Sequence, residues 1–231
     1  MRYMGGKFKI RKEVSGILRM LRAPGQVYLE PFVGGAWILQ EMDGVRIAAD
    51  KNTALITMYK ALQLGWIPPD TITESEYIRI KNGNRDPYDP LTAFCGFGCT
   101  FGGVWFGGYA RGGENRNYCK NARNTLLNQL NYIRDVEFKY SGYDTHTPDG
   151  MFVYCDPPYA GTSAYDAVGV FDSVKFWQKM REWSINNTVV ISEYKAPEDF
   201  ICIAEFKSRM GLRVTSGAQE IRTEKLFMYR G

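Results

Sequence analysis

The spacing of Val14, Ile17, Leu18 and Leu21 marks one apolar helical face, which predicts a helix over about Lys12–Leu21 that stops at Ala-Pro-Gly. Gln26–Glu30 reads as a strand. The turn Pro31-Phe32-Val33-Gly34-Gly35-Ala36 then leads into the apolar Trp37-Ile38-Leu39, predicting a strand, a glycine turn and a helix. Val45–Ala49 predicts a second strand ending at Asp50, and Thr53–Leu64 a helix packed on the sheet. Later, Leu126, Leu127, Leu130 and Ile133 mark a helix from Thr125, and Val136, Phe138 and Tyr140 alternate as a strand. Thr188–Ser192, Cys202–Phe206, Leu212–Thr215 and Leu226–Tyr229 predict further strands, the last two as a hairpin through Ser216–Thr223.

Strands alternating with helices predict an α/β sheet, and Pro68-Pro69 opens a region of different composition, rich in glycine, asparagine and aromatic residues. The organisation expected is one main domain made of residues 1–66 and 124–231, with residues 67–123 as an inserted lobe.

Met151-Phe152-Val153-Tyr154-Cys155 carries the candidate chemistry. It is an unbroken apolar run, as in a strand buried on both faces, and Asp156 stands at its carboxyl end. Pro157 and Pro158 cannot continue a hydrogen-bonded ladder, so the chain must leave the sheet there and present Asp156 at a strand tip. In an open α/β sheet ligands bind at such tips. The Asp156 carboxylate, the Pro157 carbonyl and the Tyr159 ring suit a planar group with an exocyclic amine, which can donate to both oxygens while the ring stacks on it. An ordinary buried strand ending in a proline turn is the plainer alternative.

Asp50 ends the second strand 20 residues beyond Glu30, where a carboxylate can accept from a ribose diol; a solvated loop aspartate is the alternative. A Gly-x-Gly-x-x-Gly phosphate loop is absent and Glu30 would repel a pyrophosphate, so the ligand expected is a nucleoside other than a dinucleotide.

The charge balance, 29 Lys plus Arg against 25 Asp plus Glu in 231 residues, allows a local basic face without demanding a polyanionic partner. Without a membrane-length apolar run or a secretion signal, a soluble, cytoplasmic protein is expected. Five scattered cysteines read as reduced thiols. Cys95, Cys99 and Cys119 lack a fourth zinc ligand, and the lone His146 in a polar stretch argues against a metal site and against Ser-His or Cys-His catalysis. In the middle region Phe97, Phe101, Trp105, Phe106 and Tyr109 precede Arg111, Arg116, Lys120 and Arg123. Most of the rings are expected to be buried, leaving Arg111, Arg116 and Arg123 as the nucleic-acid contacts.

Tyr3-Met4-Gly5-Gly6-Lys7, Glu30-Pro31-Phe32-Val33-Gly34, Ala49-Asp50 and Asp156-Pro157-Pro158-Tyr159 resemble, in order, motifs X, I, II and IV of the Dam-type, α-group DNA adenine-N6 methyltransferases, as in a small phage or bacterial member. The resemblance continues in Phe171-Asp172, Phe176-Trp177, Val189–Tyr194 and Arg222–Phe227, covering most of the chain except the middle. It implies a Rossmann-like S-adenosylmethionine-dependent methyltransferase fold: a mixed sheet, a C-terminal antiparallel hairpin and an inserted recognition lobe. Tyr3, Lys7, Asp50 and Asp156 would hold S-adenosylmethionine, with Phe32 and Gly34 at its methionine half. Ala36 departs from the glycine common in the family, which bears on cofactor affinity.

The activity expected is methyl transfer to adenine N6 in double-stranded DNA by direct displacement, on a flipped base, by a metal-free monomer, in a restriction-modification setting or outside one. Cytosine N4 and RNA adenine offer a similar amine. A catalytically silent nucleic-acid binder is the rival of another class.

Overall fold

In a computed structural model, which describes residues 1, 3–112, 116–158, 171–209 and 221–231, the apolar run before Asp156 has no solvent face. Phe152 and Tyr154 point into one core, Val153 and Cys155 into the other, and all four are fully buried. The two-residue period of a strand explains the missing polar alternation, since helices cover both faces.

Among the described residues seven strands form the sheet: β1 (Tyr28–Glu30), β2 (Arg46–Asp50), β3 (Glu137–Tyr140), β4 (Phe152–Cys155), β5 (Thr188–Glu193), β6 (Phe200–Arg209) and β7 (Ile221–Tyr229). Their order is β3-β2-β1-β4-β5-β7-β6. The first five are parallel, and β7 runs antiparallel to both β5 and β6. The expected Rossmann-like mixed sheet with its C-terminal antiparallel hairpin is therefore present. Strand order reverses between β1 and β4, which makes the carboxyl ends of these two strands the switch point.

Helices α1 (Arg11–Leu21), α2 (Thr53–Gln63) and α5 (Tyr118–Ile133) cover one face. Helix α6 (Ser173–Trp183), not anticipated from the sequence, covers the other through Phe176, Met180 and Trp183, the spacing of one helical face. The Asp172 side chain accepts from Lys175 N and caps α6, an interaction that contributes about 1 kcal/mol. Two further α-helices, α3 (Glu74–Asn82) and α4 (Pro90–Ala93), lie in the middle region. Among the described residues no helix is long and apolar enough to cross a membrane.

Three expectations are corrected. After β1 the chain makes turns and a single 3₁₀ turn at Leu39–Glu41 instead of an α-helix. Gly34 at φ +43° and Ala36 at φ +55° are left-handed, which interrupts a right-handed helix. Ala36 therefore lacks the helical angles that would make its methyl group harmless there. Its conformation costs an L-residue about 1–2 kcal/mol.

Helix α5 already begins at Tyr118, ahead of the start expected at Thr125. The Asn117 side chain accepts from Lys120 N, and Cys119, Ala122, Leu126 and Ile133 continue one buried face back into the polar first turns. The middle region is also tied inward: Phe94, Phe97 and Phe106 are buried, in the core that holds Tyr28 and Tyr154.

The partner of β7 in the hairpin is β6, which runs beyond Cys202–Phe206 at both ends, and Thr223 lies within β7 rather than in the turn. The expected strand Leu212–Thr215 falls outside the described residues.

Candidate active site

Asp156 follows directly on β4, with Pro157 buried and Pro158 exposed behind it. Strand alternation puts Asp156 on the same face as Tyr154, Glu30 on that of Tyr28, and Asp50 on that of Ala48; Tyr28, Ala48 and Tyr154 share one core. Three carboxyl groups thus stand at the tips of β1, β2 and β4 on a single side of the sheet.

Lys7 reaches them from the amino-terminal segment. Its Nζ donates to Asp156 Oδ1 at 2.7 Å and lies 3.2 Å from Glu224 Oε2, while its side chain is only 2% exposed. Burial by itself would make the ammonium easier to deprotonate. The negative charge of Asp156, with Glu224 adding, outweighs that and holds Lys7 protonated, above its ordinary pKa.

Burial acts on the acids in the opposite sense. Burial pushes Glu30 well above the usual carboxylate range, against the hydrogen bond that the Tyr28 hydroxyl donates to it at 2.8 Å; Asp156 and Asp50 raise it further, and Lys7 lowers it. Asp50 is raised to about 6 by burial, although its carboxylate accepts from Gly34 N at 3.0 Å and Asn52 N at 2.9 Å.

Tyr3, Gly34 and Asp50 are brought together. Asp50 holds the Gly34 amide, the Tyr59 hydroxyl donates to the Gly34 carbonyl at 2.9 Å, and the Tyr3 ring lies against Gly34. A Cβ at Gly34 would sit 2.9 Å from Tyr3 Cε1, so this close approach requires glycine. Phe32 lies elsewhere, half-buried in a separate cluster with Tyr143, Phe171 and Phe176. Tyr159 is outside the described residues.

The arginines expected to meet nucleic acid part company. Arg111 and Arg116 line one lobe cavity of about 780 Å³ with Lys120 and Tyr109; none of the strand-tip residues belongs to it. Arg111 forms a two-pronged pair with Glu74, with Nε 3.0 Å from Oε2. The Arg116 guanidinium lies over the Tyr118 ring at 4.8 Å. Arg123 does not line that cavity; its Nε donates to the Pro68 carbonyl at 2.9 Å, tying α5 to the double-proline turn.

Two acids had no role assigned from the sequence. Glu30 enters the sequence reading as a repeller of phosphate and, like Glu224, as part of a resemblance; the signal for Glu224 is its place two residues from the buried Leu226 on an alternating strand. The cysteines are less scattered in space than in sequence, for Cys119 and Cys99 sulfurs lie 2.7 Å apart inside the lobe. Among the described residues no group of His, Cys, Asp or Glu is arranged to hold a metal ion.

The donor set fits S-adenosylmethionine better than a phosphate ligand. Ionised carboxylates at the strand tips, Asp156 beside Lys7 and Asp50 on β2, favour a cationic sulfonium and ammonium and disfavour a pyrophosphate.

No family model and no curated protein matches the chain. Similar solved structures include a Pyrococcus horikoshii protein assigned as an RNA methyltransferase, at 10% identity and TM-score 0.44, covering 95% of this chain and 82% of that one. The rRNA methyltransferase AviRa from Streptomyces viridochromogenes shares 12% identity at TM-score 0.36, over 94% and 84%. A protein from Clostridium thermocellum assigned as an rRNA methylase shares 8% at TM-score 0.39, over 94% and 95%. With likeness at this level, substrate and chemistry must be argued from this chain's own residues.

Proposed function

We propose that this protein is an S-adenosylmethionine-dependent methyltransferase acting on the N6 amine of adenine in double-stranded DNA. The observation that carries the reading is the Asp156 carboxylate, placed at the β1/β4 switch point by the proline exit and fixed there by the buried Lys7.

The cofactor, when bound, would supply a sulfonium methyl group for direct displacement, its sulfur departing as a neutral thioether while the methylated amine loses one proton to solvent. Asp50 would accept from its ribose, and Tyr3 and Gly34 would form the wall beside it. Asp156 accepts a hydrogen bond from the substrate amine, and its negative charge becomes more favourable as positive charge develops on nitrogen. Lys7, through Oδ1, fixes the carboxylate's orientation rather than contacting the amine. The Pro157 carbonyl takes the second amine hydrogen and Tyr159 stacks on the base, offsetting part of the cost of flipping it. Alignment of two reactants can itself supply roughly 7–11 kcal/mol, so neither a covalent enzyme intermediate nor a metal is invoked.

The middle region, 67–123, acts as the recognition lobe in this reading. Arg111, Arg116 and Lys120 present positive charge on one cavity wall, and Arg111 would exchange Glu74 for a phosphate or a guanine edge. Arg123, held by Pro68, supports that surface from behind.

The test is purified protein incubated with methyl-labelled S-adenosylmethionine and, separately, duplex DNA and RNA of mixed sequence, followed by nucleoside mass spectrometry. N6-methyladenosine from RNA, or N4-methylcytosine, would move the assignment to that substrate. Transfer to neither nucleic acid would overturn it.

A further inference from the structure

The cation of the site is held from two distant parts of the sheet. Asp156 belongs to the parallel half, just past β4, whereas Glu224 belongs to the antiparallel β7. Backbone pairing brings them close. β7 pairs with β5 through Ser192↔Leu226 and β4 with β5 through Cys155↔Ile191, and Leu226 is buried in the same core as Tyr154. Glu224, two residues from Leu226, therefore points to the face that carries Asp156.

Its carboxylate does not sit there as a surface charge. The Glu224 side chain is 14% exposed and Asp156 19%, with Lys7 2% exposed between strand ends that also carry Glu30, Asp50 and Tyr154. An ammonium has three donors on a flexible stem; besides Asp156, the Lys7 Nζ reaches the Gly5 carbonyl at 3.5 Å, a contact within its own turn that ties it to no other strand. A second carboxylate, anchored in the antiparallel part of the sheet, restricts it from another direction.

We propose that Glu224 is a positioning residue, holding the Lys7 ammonium in register against Asp156 Oδ1 and so fixing the carboxylate that faces the substrate amine. Glu224 itself touches no reactant. The C-terminal hairpin thereby becomes part of the site's framework. The catalytic half of this inference rests on the methyl-transfer reading.

The test compares wild type with E224Q, K7M and the double variant as full chains. Glutamine preserves shape but removes the charge that pins Lys7. The expected result is a kcat lowered about 10- to 100-fold, as for a small misplacement of reacting groups, with KM for cofactor and nucleic acid within about twofold. The double variant should be no slower than K7M, because Glu224 acts through Lys7. A second readout needs no turnover: the ¹H–¹⁵N signal of the Lys7 ammonium, sharp in wild type, should broaden in E224Q.

Unchanged kcat in E224Q, or a loss of kcat with an unchanged Lys7 signal, would overturn the proposal, as would additive losses in the double variant. If wild type transfers no methyl group, the failure belongs to the methyl-transfer reading; the ammonium signal then decides the positioning role, broadening in E224Q supporting it and an unchanged signal overturning it.

Discussion

Lys7 Nζ and Asp156 Oδ1, 149 residues apart in sequence, meet at 2.7 Å at the end of β4. Removing one member of a buried pair strands the other without compensation, a loss of about 3–5 kcal/mol. Asp156 and Glu224 keep some contact with water, so Lys7→Met is expected near the low end, at about 3 kcal/mol. Urea denaturation followed by circular dichroism checks this, and a loss below about 1 kcal/mol would show that the pair is no stronger than a surface ion pair.

Asp156→Asn is expected to keep the fold and remove most turnover. The amide retains an acceptor oxygen but loses the charge that answers the developing ammonium, a deficit of about 2.7–4 kcal/mol, or 10²–10³-fold in rate. Single-turnover methylation within about threefold of wild type would contradict the role given to this carboxylate.

Asp50 links cofactor affinity to pH. Because burial raises its carboxyl to about 6, the group favours folding most below the ordinary carboxylate range, and that contribution is lost as pH rises through about 6. Cofactor binding should run the other way if the ionised form holds the ribose, strengthening up to about pH 7 and then levelling. Asp50→Asn should flatten this profile and weaken binding at neutral pH by about 1–3 kcal/mol. Calorimetry from about pH 5 to 8 distinguishes it from an aspartate that serves only to tie Gly34 to β2.

The lobe arginines should separate in a salt series. Arg116→Ala and Arg111→Ala are expected to weaken nucleic-acid binding, and a residue that contacts phosphate also lowers the magnitude of the salt slope by about 1. Arg123→Ala should act instead on stability, since it breaks the Pro68 contact. Fluorescence anisotropy and thermal melts together assign each residue, and equal behaviour of all three would remove the distinction.

Legibility in the sequence followed local geometry. The strands leading to Glu30, Asp50 and Asp156 were readable because apolar runs and prolines fix where a strand must stop. The first turns of α5 were hidden because Lys120, Asn121 and Asn124 face outward and mask the stripe of Cys119 and Ala122. The missing helix after β1 depended on the left-handed Ala36, a conformation that alanine, unlike glycine or asparagine, does not signal. Glu224 could be placed only once the antiparallel pairing with β5 was known, because sequence distance says nothing about which strand tip lies beside Lys7.

Lys7 emerges during synthesis well before either of its counter-charges, Asp156 and Glu224. Docking Lys7 earlier would bury an unmatched charge, a state several kcal/mol uphill. Contacts of such long sequence separation form slowly. The segment from Met4 to Lys7 is thus expected to be among the last parts to become protected in pulsed hydrogen exchange, closing over the strand tips only after the carboxy-terminal hairpin has paired.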